Sequence, residues 1–298
     1  MYVMTTVRWG FMTAVPLFLL TTGYLKGNKT VSKAHYMSLV PILVAYIILC
    51  SVRMIAENAV YGQIHTLSSA VKNLLNYNCA WYVGMYIGLM LICPFLNMIW
   101  KACGKKEHII LVASLIIITM MYPLVNYVFP SYFQPLYPIT YYFMGIYLKE
   151  YRPKVNKALL VIVFGVSILV TSGITIIKSA GGPFNGGTLA IIDNGQNDIT
   201  IAIAAVCIFL FFYDINVKNK IVSTLITSAS NCSLEIYMLQ AAFNAVIYTY
   251  LGRMLLTPED YFWWFFVAVP AAFIPSWIVS EVYKKTYSHV IMLFKKSN

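Results

Sequence analysis

The chain has 298 residues, of which 60% are hydrophobic and only 10% charged, with a formal net charge of +11 and a mean hydropathy of +0.74. A water-soluble domain carries about 25% charged residues, because its core needs a polar shell. This composition therefore excludes a soluble globular domain and a disordered chain, and it leaves a polytopic membrane protein.

Apolar stretches of roughly 17 to 25 residues are long enough to cross a bilayer as helices. In chain order they fall at 9–25, 36–52, 79–100, 109–129, 132–148, 158–177, 199–213, 232–252 and 261–280. These nine spans predict an all-α, polytopic transmembrane helix bundle forming one domain over 1–298. The run at 199–213 is short and calls for local thinning of the bilayer. Trp9, Trp81, Trp100, Trp263 and Trp264 stand near span ends and suit an interfacial belt. Between the second and third spans, Val60, Ile64, Leu67, Val71 and Leu74 recur at helical spacing. They predict a surface helix or a cover over a cavity. The stretch 180–198 reads as glycine-rich turns without phosphate-loop spacing, and 215–230 reads as a short interfacial segment.

The cations divide unevenly between the two sides. Alternate connections hold Lys26, Lys29 and Lys33; Lys101, Lys105 and Lys106; Lys149, Arg152, Lys154 and Lys157; Lys218 and Lys220; and Lys284, Lys285, Lys295 and Lys296. The opposite side holds only Arg8, Arg53, Lys72, Lys178 and Arg253. The positive-inside rule makes the richer side cytoplasmic, with the C-terminus inside and the N-terminus outside. The basic total is thus a topological signal, and no nucleic-acid partner is expected.

Six cysteines without a CxxC pair predict buried thiols, and neither a disulfide framework nor a metal site. His35, His65, His108 and His289 are scattered and form no metal-ligand cluster. An ionisable group inside a bilayer costs about 3 kcal/mol, so each one is a functional candidate. Three groups are weak catalytic candidates: Glu235, Gln240 five residues deeper, and His65, the one histidine on the exterior side. A lysine partner for Glu235 would lower its cost. Lys26, Lys29, Lys33 and His35 crowd one cytoplasmic connection, where ammonium groups can hold phosphates as point charges. Topology alone also places lysines there.

Four segments, in order, resemble acyltransferase family 3, the integral membrane proteins that O-acylate bacterial surface glycans. They are VPLFLLTTGYLKGNK at 15–29, AWYVGMYIGLMLICPFLN at 80–97, YPITYYFMGIYLKEYRPK at 137–154 and SLEIYMLQAAF at 233–243. The resemblance implies ten helices, acetyl-CoA or another acyl-CoA as donor, and a sugar hydroxyl of a cell-surface polysaccharide as glycan acceptor. The setting it implies is the bacterial cytoplasmic (inner) membrane, with membrane lipid around the bundle. It implies that Lys26, Lys29 and Lys33 face the CoA phosphates, with His35 beside them as a further cofactor-binding candidate, and that Trp81, Tyr82, Tyr141 and Tyr142 meet the sugar. The family's first helix carries an Arg and a His used in catalysis. This chain starts at what matches the second helix, and Gln240 stands where many members have His. The alternative reading, from another class, is a non-catalytic glycan exporter or transporter component.

Overall fold

The structure, a computed structural model, describes residues 2–62, 64–121, 128–179, 195–254 and 258–296. In chain order the helices are α1 (Tyr2–Phe11), α2 (Ala14–Lys26), α3 (Lys33–Met37), α4 (Val40–Tyr61), α5 (Leu67–Leu75), α6 (Trp81–Ala102) and α7 (Lys105–Met120). They continue as α8 (Tyr137–Tyr151), α9 (Lys157–Ser179), α10 (Ile199–Phe212), α11 (Lys220–Asn231), α12 (Ser233–Met254) and α13 (Pro258–Lys296). Short 3-10 turns at Ser131–Leu136 and Gly195–Asn197 lead into α8 and α10. Among the described residues there is no strand, as the composition required. In lipid every backbone group must be satisfied within its own segment, and the helix does this.

Each of the nine expected spans holds at least part of a helix, yet among the described residues only five helical segments are long and apolar enough to cross a bilayer: Tyr2–Lys26, Lys33–Tyr61, Trp81–Ala102, Lys157–Ile177 and Phe262–Val290. The described parts of α7, α8 and α10 have 16, 15 and 14 residues. At 1.5 Å per residue these reach about 21–24 Å, short of a hydrocarbon core of about 30 Å. Helix α12 has 22 residues, but Glu235, Gln240, Asn244 and Arg253 lower its hydropathy. The 109–129 expectation falls partly on 122–127, and the 180–198 expectation mostly on 180–194, both outside the described residues.

The chain forms two compact units. The first comprises Met1–His35 and Leu89–Asn216, the second Tyr36–Gly88 and Val217–Asn298. In the first unit, α2 packs most extensively on α8, α9 on α10, and α1 on α9. The α2–α8 crossing is unusually close. A Cβ on Gly23 would collide with the Tyr142 carbonyl, and one on Gly145 with the Leu20 carbonyl. Small residues let helix backbones touch where no hydrophobic force separates lipid from protein. Thr22-Gly23-Tyr24 and the glycine of YYFMG are the two halves of that contact. Trp9 is buried in this unit and donates to Thr175 Oγ1 at 3.0 Å, so it does not serve the expected belt. Trp100 is buried as well, whereas Trp81, Trp263 and Trp264 are exposed.

In the second unit, α12 packs on α13 and α4. Its core gathers Tyr46, Leu49, Cys50, Val83, Met238 and Leu239. Helix α4 runs beyond the expected end at 52 and stops at Gly62, whose φ of 85° only glycine adopts readily. Helix α13 likewise continues past 280, through Lys284 and Lys285. The amphipathic surface helix appears as α5, N-capped by Thr66, with Leu67 and Val71 outward. Helix α11, capped by Asn219, leaves Ile221, Leu225 and Ile226 exposed, as an interfacial segment would.

Candidate functional site

The lysine loop is held from beneath. Asn97, fully buried on α6, donates through Nδ2 to the Lys26 carbonyl at 2.9 Å and to the Lys29 carbonyl at 2.8 Å. Its Oδ1 accepts from the Tyr142 hydroxyl at 2.8 Å. That hydroxyl also lies 2.7 Å from Cys93 Sγ. A little further along, His35 Nε2 meets the Met90 carbonyl at 2.8 Å. His35 is buried, so it anchors the loop's far end on α6 and does not reach outward. Lys29 and Lys33 are exposed and Lys26 half-exposed, which leaves their ammonium groups available to an anion.

Beside this loop lies a cleft of about 430 Å³, lined by Gly27 and Asn28 of the loop, Trp100, Lys101, Cys103 and His108, and Ile146, Lys149, Glu150 and Arg152. Three cations face one carboxylate. Trp100 Nε1 donates to Glu150 Oε2 at 2.7 Å, so that carboxylate is already engaged. The Trp100 indole stacks on the His108 ring with centroids 3.7 Å apart. His108 Nε2 faces the Trp100 carbonyl at 2.8 Å, and Nδ1 faces the Tyr151 hydroxyl at 2.7 Å. A carbonyl can only accept, so the ring carries its proton on Nε2 and accepts from Tyr151 at Nδ1. Lost hydration, with the Glu150 carboxylate beside it, raises the Tyr151 phenol above its ordinary value and keeps it a donor. Arg152 closes α8 in the left-handed region, with φ of 39°. Single residues held there are sparsely populated and tend to mark functional or end positions. The wall is rigid, aromatic and hydrogen-bonded, while its rim is basic. Such a site suits a polyanion of the phosphate class.

The second unit holds a different cluster. Arg53 Nε pairs with Glu57 Oε1 at 2.8 Å, one turn along α4, and Glu57 Oε2 meets His65 Nε2 at 2.9 Å. Arg53 also donates to the Cys79 carbonyl. Asn58 clamps the His65 backbone on both sides, donating to its carbonyl at 2.8 Å and accepting from its N–H at 2.7 Å. The reversal at Gly62 brings His65 back onto α4. A carboxylate on one ring nitrogen fixes the tautomer and leaves Nδ1 as the basic atom, which has no hydrogen-bond partner among the described residues.

The other expected site residues fall as follows. Tyr141 and Tyr142 are fully buried in the first unit. Tyr141 donates to the Gln196 carbonyl at 2.7 Å and Tyr142 supports Asn97, so both hydroxyls do structural work. Trp81 and Tyr82 belong to the second unit, the former exposed, the latter buried edge-on against Tyr237. Glu235 is buried, with Lys284 Nζ 3.2 Å away, the kind of partner its cost demanded. Gln240 is exposed and makes no hydrogen bond to another described residue.

Sequence reading did not find Asn97, the cleft cations as a group, or the Glu57–His65 pair. An Arg and a Glu four residues apart signalled the last only if α4 was known to run to Tyr61. Asn97 stood at the end of the Pro-Phe-Leu-Asn motif without a visible role.

Comparison with known families matches an acyltransferase domain over residues 3–281. No curated protein and no solved structure matches the chain. With its apolar helices and a match over most of its length, this multi-pass membrane protein belongs to acyltransferase family 3.

Proposed function

We propose that the protein is a membrane-bound O-acyltransferase that moves an acyl group, acetyl in the simplest case, from acyl-CoA to a hydroxyl of a cell-surface or exopolysaccharide sugar. Its place is the bacterial cytoplasmic membrane, crossed by the nine spans that hydropathy and charge placement in the sequence lead us to expect, with the C-terminus cytoplasmic. The observation that carries this reading is the basic cleft beside the lysine loop, on a chain of acyltransferase family. Coenzyme A ends in phosphates, and Lys26, Lys29 and Lys33 with Lys101, Lys149 and Arg152 offer cations of the right sign on the side that charge counting makes cytoplasmic.

In the reaction the sugar oxygen attacks the thioester carbonyl. A C–O bond forms, the C–S bond breaks, and the hydroxyl proton leaves while the thiolate is protonated to free coenzyme A. A sugar hydroxyl is a poor nucleophile and needs a base. Among the three candidates His65 has the geometry of one, because Glu57 orients its ring. Glu235 is engaged with Lys284 and Gln240 has no basic atom.

The test is transfer by the purified full chain in proteoliposomes, with labelled acetyl-CoA and isolated capsular or exopolysaccharide as acceptor. Acid-stable, base-labile label in the glycan is expected. Glycan crossing the membrane with no label transferred would replace this reading with that of an exporter.

A further inference from the structure

The second unit holds a cleft of about 560 Å³ lined by Pro41 and Ile42 at the start of α4, Glu235 at the start of α12, and Tyr283, Lys284, Lys285, Tyr287 and Ser288 on α13. Charge counting places all three of these helix ends on the cytoplasmic side.

Two polar atoms here are buried without a hydrogen bond among the described residues, Glu235 Oε2 and the Tyr283 hydroxyl. A buried polar atom left unpaired is costly, and native structures explain such atoms by a missing partner. Lys284 Nζ lies 3.2 Å from Glu235 Oε2 as a charge partner, but its hydrogen bond goes to the Asn231 carbonyl. Glu235 Oε2 is thus held by charge without an aligned donor among the described residues, and the Tyr283 hydroxyl has no acceptor among them. Lys285 is exposed at the same rim. Its charge is offset locally by Glu281, one turn earlier, so the rim as a whole is close to electrically balanced. A simple anion does not match a wall that needs both a donor and an acceptor. A zwitterion, or a phosphate carrying a hydroxyl, does. Pro41 and Ile42 add an apolar edge for methylene groups.

We propose that this cleft binds a phosphate ester ending in a hydrogen-bond donor, the chemistry of a phosphoethanolamine or phosphoglycerol lipid headgroup. The phosphate sits against Lys285 and the Tyr283 hydroxyl, and the amine or hydroxyl donates to Glu235. The site stands independently of the acyl-transfer reading.

The test uses the purified full chain in detergent, with native mass spectrometry of added phosphatidylethanolamine, phosphatidylglycerol and phosphatidylcholine of identical acyl chains. Phosphatidylcholine carries the phosphate but no donor. The first two lipids are expected to bind about five- to tenfold more tightly than the third, the worth of one paired hydrogen bond. Glu235→Leu, which removes the acceptor for the headgroup donor, is expected to erase most of that preference, whereas Tyr283→Phe and Lys285→Ala, which remove contacts to the phosphate that all three lipids share, are expected to weaken all three about equally. Displacement by millimolar phosphoethanolamine or glycerol 3-phosphate assigns the site to soluble esters of the same chemistry, and persistence of the lipid assigns it to the membrane. Equal binding of all three lipids, or a preference unchanged in Glu235→Leu, overturns the proposal.

Discussion

Asn97 offers the sharpest perturbation, because one small side chain satisfies three partners. Its Nδ2 serves the Lys26 and Lys29 carbonyls and its Oδ1 serves Tyr142. A net hydrogen bond is worth about 0.5–1.5 kcal/mol, and more when its loss strands a buried partner. Tyr142 keeps Cys93 as a second partner, and the Lys29 region is exposed enough for water to replace one bond. Asn97→Ala should therefore cost about 2–4 kcal/mol. Asn97→Asp keeps the acceptor for Tyr142 but turns an oxygen toward two carbonyls, at a cost of about 3–5 kcal/mol. Tyr142→Phe removes a single bond and should cost about 1 kcal/mol. At about 2–4 °C per kcal/mol for a chain of this size, thermal unfolding in detergent resolves the three variants. The lysine loop loosens in step, so KM for acyl-CoA rises more than kcat falls in whatever Asn97→Ala protein remains folded. An Asn97→Asp protein as stable as the unaltered chain would refute the reasoning, since the donors to the two carbonyls would then be irrelevant.

Other outcomes follow from the same geometry. Gly23→Ala and Gly145→Ala force the α2 and α8 backbones apart and should each cost about 1–3 kcal/mol or more, read as lowered melting temperature, whereas Gly88→Ala, with open space around its Cβ position, should be nearly neutral. Alanine at Lys101, Lys149 or Arg152 should raise KM for acyl-CoA about three- to tenfold per cation, with kcat nearly unchanged and a steep dependence on salt. His65→Gln should lower kcat by about 10²-fold or more and Glu57→Gln by less, because the second change only loosens the ring's orientation; equal loss of thermal stability without loss of kcat would assign the pair a structural role.

Much of the architecture was legible because hydrophobic length and cation placement act at the scale of whole segments. Every expected stretch holds at least part of a helix, and among the described residues five helical segments are long and apolar enough to cross a bilayer. Ends were less legible. The α4 helix runs on to Tyr61 because no breaker precedes Gly62, and its polar last turns look like a loop to a hydropathy count. Trp9 and Trp100 read as belt residues, since an indole at a span end is equally at home at an interface or against a buried acceptor. The lysine loop was visible as charge. The residue that shapes it was not, because Asn97 lies 68 residues beyond Lys29 and its role exists only in three dimensions. Tyr141 and Tyr142 show the converse. An aromatic pair in a family motif suggests stacking on a ligand, yet their hydroxyls are spent on Gln196 and Asn97.

The central claim is that the cleft beside residues 26–29 receives the phosphates of the acyl donor. Calorimetric titration of the purified full chain with coenzyme A and with its dephosphorylated form, lacking the 3′-phosphate, tests it most directly. The account predicts weaker binding of the dephosphorylated form, and loss of that difference when Lys101, Lys149 and Arg152 are replaced together by alanine. Equal affinity for both forms, or an affinity that survives the triple replacement, would contradict it.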